Sequence, residues 1–484
     1  MKSLGEKLRA VFPDAVVPKN PDSKFWTDLG LPSFLRDWTV RKFIQPDGSI
    51  DMSAVERFVR TYMPRKRDWE RIKSTLIHEA ASVKILTTLR VEIDVATGEA
   101  LVQFPALGFP KRKREARVEE HVLKEHKSEL LSGETWGVVE LRWRREAPEN
   151  QAKEIGRVVV VDFKPFRPYR VDIEHFCSVR REFSLPEWVD VLLGAIDYNP
   201  AGFSNLEQKI WFLCRLIPFV QKNFNLIELA PKGTGKTYIF SRVSKYGWLV
   251  SGGSISRAKM FYDISRRREG LVSLYDFVAL DEVQTISFPD ESEIRGALKG
   301  YLETGEYRVG DYHGKGEAGL ILLGNVTYER QKEGAFFLQE LPEVFRESAL
   351  IDRFHAFLPG WRFPRMRQDM RARGWCLNTE YFSEVLHELR SRALFMEVTK
   401  DLLEVPKRAD VRDTNAIMRA TCALTKLLLP HLLLVDSLSE EDIKVFEQWC
   451  LRIARAMRRF IRQQLHMLDA EYPETIPDIT LRSL

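Results

Sequence analysis

Residues 230–237 read Ala230-Pro231-Lys232-Gly233-Thr234-Gly235-Lys236-Thr237. They follow the apolar run Leu226-Ile227-Glu228-Leu229, which reads as a buried strand, and precede Tyr238 to Val243, which starts with helical spacing. Strand, glycine-bearing loop, then helix is the order that a phosphate loop requires. Backbone N–H groups at the helix start have no partner within the helix, and the helix dipole favours anions there. In that reading Lys232, Gly233, Thr234, Gly235, Lys236 and Thr237 cradle the phosphates of ATP. Lys236 reaches the β/γ-phosphates and the Thr237 hydroxyl ligates Mg²⁺. The pattern G-x-x-x-x-G-K-[ST] is departed from at its first glycine, which is Ala230 here. That position tolerates a methyl group more readily than Gly233 or Gly235. The alternative is a turn carrying a surface lysine.

Downstream, Trp248-Leu249-Val250 predicts a short strand ending in Ser251-Gly252-Gly253-Ser254, and a helix is expected from Arg257 through Arg268. Tyr275-Asp276-Phe277-Val278-Ala279-Leu280-Asp281-Glu282 is an apolar run that ends in two carboxylates. Beside a phosphate loop, Asp281 would join Thr237 in holding Mg²⁺, and Glu282 would orient and polarise the attacking water. A helix over Ser292–Thr304 leads into a glycine-rich stretch, Gly305 to Gly319, that reads as a β-hairpin with His313 and Lys315 at its tip. Leu320 to Leu323 is then a buried strand delivering Asn325, a sensor amide beside Glu282, or else half of a Gly-Asn turn. Arg353, between apolar neighbours, suits a finger that reaches the γ-phosphate of an adjacent subunit; Arg346 competes for that role, and a salt bridge to Asp352 is the alternative. From Thr379 the chain turns helical. Arg412 sits in the first turn of a helix, where a cation opposes the dipole and invites a γ-phosphate contact. Glu440 to Leu468 carries Arg452, Arg455, Arg458, Arg459 and Arg462, read as mostly an exposed face.

The amino-terminal third starts with helices, among them Ser53–Tyr62 and one beginning at Asp68. From Val83 the period becomes alternating, and Thr97-Gly98 turns into a second strand. Pro110 to Arg117 is the densest basic run. Lys111, Arg112, Lys113 and Arg114 are the candidates for contacts to DNA phosphates, with a solvated face as the alternative. A helix over Val118–Leu131 and strands over Thr135–Arg145 and Gly156–Pro165 follow. Trp143, Phe163, Phe166 and Tyr169 interleave with cations, which suits stacking on bases, or else these rings are core. The expected organisation is a helical region over 1–80, a small β-rich DNA-binding domain over 81–182, an α/β core over 183–375, a helical lid over 376–470 and a tail over 471–484.

The chain has 484 residues, enough for two or three domains, and 74 Lys+Arg against 69 Asp+Glu, net +5. So small an excess puts any nucleic-acid surface into local clusters. No apolar run reaches the roughly eighteen residues of a membrane span, and the start has no signal-peptide core, so a cytoplasmic protein without membrane contact is expected. The five cysteines lie far apart with no C-x-x-C pair, which argues against a zinc ribbon or a disulfide framework.

The order phosphate loop, Asp-Glu, hairpin, Asn, Arg-Phe, Val-Arg is similar to AAA+ ATPases, especially the branch holding the minichromosome-maintenance helicases and Lon. Leu216-Ile217-Pro218, Glu228 through Lys236, Leu249 to Gly253, Leu271-Val272 with Asp281-Glu282-Val283, and Asp352 to His355 with Pro359-Gly360-Trp361 together resemble the BrxL family, the Lon-like AAA+ ATPases of BREX anti-phage systems. Ser132-Gly133 with Trp136, and Ser184 to Leu192, extend the likeness over nearly the whole chain. The resemblance implies an α/β AAA+ P-loop core with a helical lid, preceded by an α+β region containing a small OB-like mixed β domain. It further implies a hexameric ring, with stacked rings as a further form. Such a ring encircles double-stranded DNA, hydrolyses ATP with Mg²⁺ and works with other BREX components. On it Lys236, Thr237, Asp281, Glu282, Asn325, Arg353 and Arg412 take the roles above, and His313 and Lys315 face the pore. Longer relatives carry a Lon-like protease domain after the lid, and the chain stops at Leu484, so no peptidase activity is expected. Two readings compete: an ATP-dependent unfoldase or Lon-like protease subunit, and a DNA-bound scaffold that uses ATP as an assembly switch. The small polar Ser251 to Ser256 stretch stands where protein-threading rings usually present an aromatic pore loop, and Glu282 keeps a hydrolytic base.

Overall fold

Each residue of Leu226–Ala230 is buried, including Glu228, so this short run becomes an inner strand of a sheet. It lies in a computed structural model that describes residues 3–19, 26, 31–45, 48–112, 114–131, 133–146, 154–265, 267–289, 291–326, 335–435 and 437–482. The chain folds as two units, Lys42–Arg170 and a larger one that joins the segment up to Arg41 to everything from Val171.

These boundaries differ from the breaks expected after residues 80 and 182. The amphipathic helix Trp69–His78 buries Trp69, Ile72 and Leu76 in one cluster with the strands that follow, so it belongs with them. Val16–Lys19 pairs antiparallel with Gly374–Leu377, which ties the amino terminus to the larger unit. Helix Ile173–Val179 joins that unit too, because Phe176 packs on Trp188.

In the smaller unit, β1 (Val83–Ile93), β2 (Ala100–Gln103), β3 (Ala116–Val118), β4 (Glu134–Glu146) and β5 (Ile155–Pro165) close a barrel in the order β1-β2-β3-β5-β4. The β3–β5 pair is parallel and the other pairs are antiparallel. Two short helices, Glu120–Glu125 and Lys127–Leu130, stand between β3 and β4 in place of the single helix expected, interrupted where His126 leaves helical geometry. Phe163 and Phe166 are core, not a base-stacking surface. Gly137 explains the first: a Cβ there would sit 2.1 Å from the Phe163 ring, which takes the room a side chain would have used.

The larger unit is built on β6 (Leu226–Ala230), β7 (Gly247–Ser254), β8 (Phe277–Ser287), β11 (Gly319–Asn325) and β12 (Ala356–Pro359), in the order β12-β6-β11-β8-β7 and parallel throughout. Inner strands covered on both faces read as unbroken apolar runs, as Leu320 to Leu323 does. Helix α1 (Lys236–Arg242) follows β6, and α2 (Glu291–Thr304) follows β8. The hairpin β9 (Glu306–Val309) and β10 (Tyr312–Lys315) leads into β11. Its turn is Gly310-Asp311, so His313 and Lys315 lie along β10, opposite Arg308 and Glu306, and not at the tip. The helix expected over Arg257–Arg268 is only Arg257–Met260, followed by a short ladder of Tyr262–Asp263 with Arg268–Glu269. The chain leaves the helix because Phe261 enters the core and Tyr262 stacks on Tyr312 at 3.6 Å.

The carboxy-terminal part is helical, with α3 (Thr379–Arg390), α4 (Val411–Leu428) and α5 (Arg452–Leu468). The arginines of α5 are not all on an exposed face. Arg458 and Arg462 are buried, paired with Asp413 at 2.7 and 2.8 Å, while Arg452 and Arg459 stay exposed. No helix among the described residues is long and apolar enough to cross a membrane.

Candidate nucleotide site

At the end of β6 the methyl of Ala230 is accommodated by a glycine just past the end of β12. A Cβ on Gly360 would lie 2.2 Å from that of Ala230, so the missing loop glycine is matched by one elsewhere. The loop itself keeps the glycines that its backbone needs. Gly235 has φ +80, and a Cβ there would sit 2.4 Å from Tyr198 Oη. No side chain caps the start of α1.

Lys236 is buried and its Nζ donates to Asn325 Oδ1 at 2.7 Å. Burial pulls the ammonium below its ordinary value, a shift that a bound anion would reverse. Thr237 Oγ1 donates to Asp281 Oδ2 at 2.6 Å. Glu282 follows, exposed and at φ +48, with its N–H donating to Asp281 Oδ1 at 3.0 Å. Left-handed geometry at a non-glycine residue costs energy and tends to occur at functional sites. Because β6, β11 and β8 are neighbours in the sheet, the carboxyl ends of β6 and β11 and the middle of β8, just past Leu280 where its pairing with β11 stops, bring these five side chains to one cavity of about 900 Å³. Lys232, Gly233, Thr234 and Gly235 line it as well.

Mg²⁺ prefers oxygen ligands and takes only one or two from protein beside substrate phosphates. The Thr237 hydroxyl and Asp281 carboxylate, already adjacent, fit that donor set.

Family models decide the kinship. The one described as "Lon-like protease BrxL-like, ATPase domain" matches residues 158–478, and "BREX system Lon protease-like protein BrxL N-terminal" matches residues 10–143. The chain belongs to the BrxL family. "Lon-like protease BrxL" of Escherichia coli O9:H4 (strain HS) is 29% identical over 473 residues, 96% of this chain and 65% of that protein. Its namesake in Bacillus cereus (strain H3081.97) is 28% identical over 474 residues, 96% of this chain and 67% of that one. "Uncharacterized protein ORF426" of Acidianus filamentous virus 1 is 23% identical over 296 residues, 55% of this chain and 68% of that protein. The chain therefore spans about two thirds of the BrxL relatives' length. BrxL-type ATPase domains imply an AAA+-like fold, and the five-stranded parallel sheet with mixed α/β content agrees with it.

Several residues of this BrxL-family site escaped sequence reading. The far wall of the cavity comes from Leu31, Arg36 and Val40 of the amino-terminal segment and from Met366 and Arg371 after β12. Asp197 holds that segment in place: it pairs with Lys19 at 2.8 Å and Arg36 at 2.5 Å, and accepts from Tyr238 Oη at 2.6 Å. Against the upward push of burial, Arg36 and Lys19 hold its carboxyl far below the usual range. Beneath the loop, Arg215 pairs with Glu228 and donates to the Thr234 carbonyl at 2.9 Å. Only a strand-borne glutamate among apolar residues hinted at the pair.

Arg353 and Arg412 do not line the cavity. They meet at the Glu303 carboxylate, 2.7 and 2.9 Å away. Asp352 pairs with Arg412 at 2.8 Å and Arg458 at 2.7 Å, so the expected alternative, a bridge from Asp352 to Arg353, is not what forms. Arg346 donates to the Leu341 and Gln339 carbonyls at 2.6 and 2.9 Å, in a loop of its own.

Of the basic run, Lys111 and Arg112 have exposed side chains, while their backbone N–H groups donate to Glu115 at 3.2 and 3.1 Å. Arg114 pairs with Asp94 at 3.1 Å, and Lys113 lies outside the described residues.

Proposed function

We propose that this chain is the AAA+ ATPase of a BREX-type anti-phage system. It assembles into a hexameric ring, encircles double-stranded DNA and hydrolyses ATP to clamp or translocate on it. The observation that carries the reading is the meeting of Lys236 with Asn325 and of Thr237 with Asp281 at one cavity edge. Lys236 and the loop N–H groups hold the β- and γ-phosphates and offset the charge that gathers on them. Glu282, exposed and at positive φ within β8, accepts the proton of the attacking water, and Asn325 fixes that water's orientation. Thr237 and Asp281 are the residues that would hold Mg²⁺, which would supply charge neutralisation to the phosphates. Arg353 and Arg412 act on the nucleotide of a neighbouring copy, since both stand away from their own cavity.

The sheet order, with α3 to α5 as lid, suits an AAA+ core. The barrel order, with its one parallel pair and a helical insert between β3 and β4, suits an OB-like domain. His313 and Lys315, exposed along β10, would face DNA in the pore, and Lys111 and Arg112 would add phosphate contacts.

A second reading, an ATP-dependent unfoldase or protease subunit, is favoured by the name of the relatives. One experiment separates them: ATPase rate and particle size with and without long double-stranded DNA at two salt concentrations, with casein degradation followed in parallel. Salt-sensitive DNA binding by a large ring and intact casein are expected. A ring indifferent to DNA but stimulated by unfolded protein would overturn the DNA reading in favour of the second.

A further inference from the structure

Glu303 lies in the last turn of α2, just ahead of the hairpin that begins at Glu306. Its carboxylate takes two arginines at once. Arg353 Nε is 2.7 Å from Oε2, and Arg412 Nη2 donates to the same oxygen at 2.9 Å while its Nε is 3.2 Å from both. The Arg353 contact is an ion pair without hydrogen-bond geometry, which leaves that buried Nε–H available to a better-placed acceptor. Arg353 Nη1 donates to the Ala349 carbonyl. Glu303 and Arg412 are 37% and 35% exposed and Arg353 17%, so the cluster opens to solvent on the side of Glu303 and Arg412.

The surroundings are pinned. Asn225 Nδ2 donates to the Leu302 carbonyl at 3.2 Å, and its Oδ1 accepts from the Leu320 N–H at 3.1 Å. Asp352, buried, gives Arg412 a second carboxylate partner besides Glu303. From Glu303 the path to the hairpin is short: the Glu306 N–H donates to Thr304 Oγ1 at 3.2 Å, and the Gly316 N–H donates to the Gly305 carbonyl at 2.8 Å.

Two guanidinium groups this close repel unless an anion lies between them, and both donate well to phosphate oxygens. We propose that Glu303 is a positioning residue: it holds Arg353 and Arg412 side by side as one anion-recognising pair for the nucleotide of a neighbouring copy, and ties that pair to the β9–β10 hairpin. The proposal rests on the reading above in which the arginines act between copies. A phosphate that engages the pair competes with Glu303 for the same N–H groups. The carboxylate then shifts at the base of the hairpin, which makes the occupancy of one site felt where DNA is contacted.

The test is Glu303→Gln, which keeps volume and removes charge, in the full chain, with kcat and KM for ATP, ring size, melting temperature and the ratio of rates with and without double-stranded DNA. The expected result is a kcat about tenfold to a hundredfold lower, as for a misplaced catalytic group. KM should stay within about twofold, because Glu303 does not line the cavity; rings should persist and the DNA ratio should fall toward one. Glu303→Asp should recover part of kcat. An unchanged or raised kcat overturns the proposal. So does a variant that melts early, with KM and kcat impaired together and no recovery in Glu303→Asp, since that marks a scaffold role. Arg353→Ala and Arg412→Ala run alongside: if both keep full kcat, the reading of the arginines fails, whereas if they lose it and Glu303→Gln does not, only the role of Glu303 fails.

Discussion

Arg215 and Glu228 form a fully buried ion pair, with Nε and Nη2 at 3.0 and 2.5 Å from the two carboxylate oxygens, directly beneath the phosphate loop. The remaining Nη1–H holds the Thr234 carbonyl at 2.9 Å, so the pair fixes the loop backbone as well as each other's charge. Removing one partner strands the other. Glu228→Gln or Arg215→Met should cost about 3–5 kcal/mol in denaturant unfolding, whereas Arg215→Met with Glu228→Leu should unfold near the wild type yet bind ATP more weakly. Equal stability of single and double variants would show that the charges are not coupled.

Asn325 is braced as well as placed. Gln284 Nε2 donates to the Asn325 carbonyl at 2.8 Å, and its Oε1 accepts from the Asn325 N–H at 3.3 Å. Asn325→Ala should lower kcat by about 10²-fold with KM little changed, the size expected for losing one preorganised polar group. Gln284→Ala should fall between that variant and the wild type in steady-state ATPase assays. A Gln284 variant with full kcat would leave Asn325 held by the strand alone.

Glu282 and Lys236 divide hydrolysis from binding. Lys236→Ala should abolish ATP binding in a filter or calorimetric assay, because the phosphates lose their cation. Glu282→Gln should bind ATP normally and hydrolyse it at least about 10²-fold more slowly. Wild-type turnover in Glu282→Gln would remove Glu282 as the base.

What the sequence disclosed was local. Lys236 and Thr237 open α1, Asn325 closes β11, and Asp281 and Glu282 follow the apolar run Phe277 to Leu280 inside β8; each pattern is readable by itself, and a parallel sheet brings them together. Contacts set by distant pairing were not visible. Arg36 and Val40 line the cavity in a segment held by the pairing of Val16–Lys19 with Gly374–Leu377 and by the ion pairs of Lys19 and Arg36 with Asp197. Arg458 and Arg462 looked solvated because a polar residue in an amphipathic helix reads as surface, and their partners Asp352 and Asp413 lie far off in the chain. Likewise, Phe163 among cations has the pattern of a stacking platform, yet it is buried in the barrel core, over the space left by Gly137 on the neighbouring strand.

The basic run of the barrel unit divides into two kinds of residue. Lys111 and Arg112 project exposed side chains, and Arg114 is engaged by Asp94. Lys111→Ala with Arg112→Ala should therefore weaken binding to double-stranded DNA and reduce the slope of log affinity against log salt by about 2, one for each phosphate left without its cation. Arg114→Ala should change the slope less and the stability of the barrel more. An unchanged slope in the double variant would make the run a solvated face.

Stability should also fall as pH rises, through one buried cluster. Lys245 lies between Glu380, 2.5 Å away, and Glu384, and Tyr246 Oη donates to Glu384 at 2.8 Å. One ammonium cannot satisfy two buried carboxylates, and burial, with Glu384 nearby, pushes Glu380 up from its ordinary value near 4.5 to about 8. The folded value lies above the unfolded one, so the native state keeps a proton that the unfolded chain releases. The stabilisation is full below about pH 4.5 and is lost progressively until about pH 8, above which it no longer changes. Glu380→Gln, which stays neutral, should flatten the decline in unfolding free energy across that interval while leaving the acid side little altered. The measurement is urea unfolding at intervals through the range; a slope in Glu380→Gln equal to that of the wild type would assign the decline to other groups.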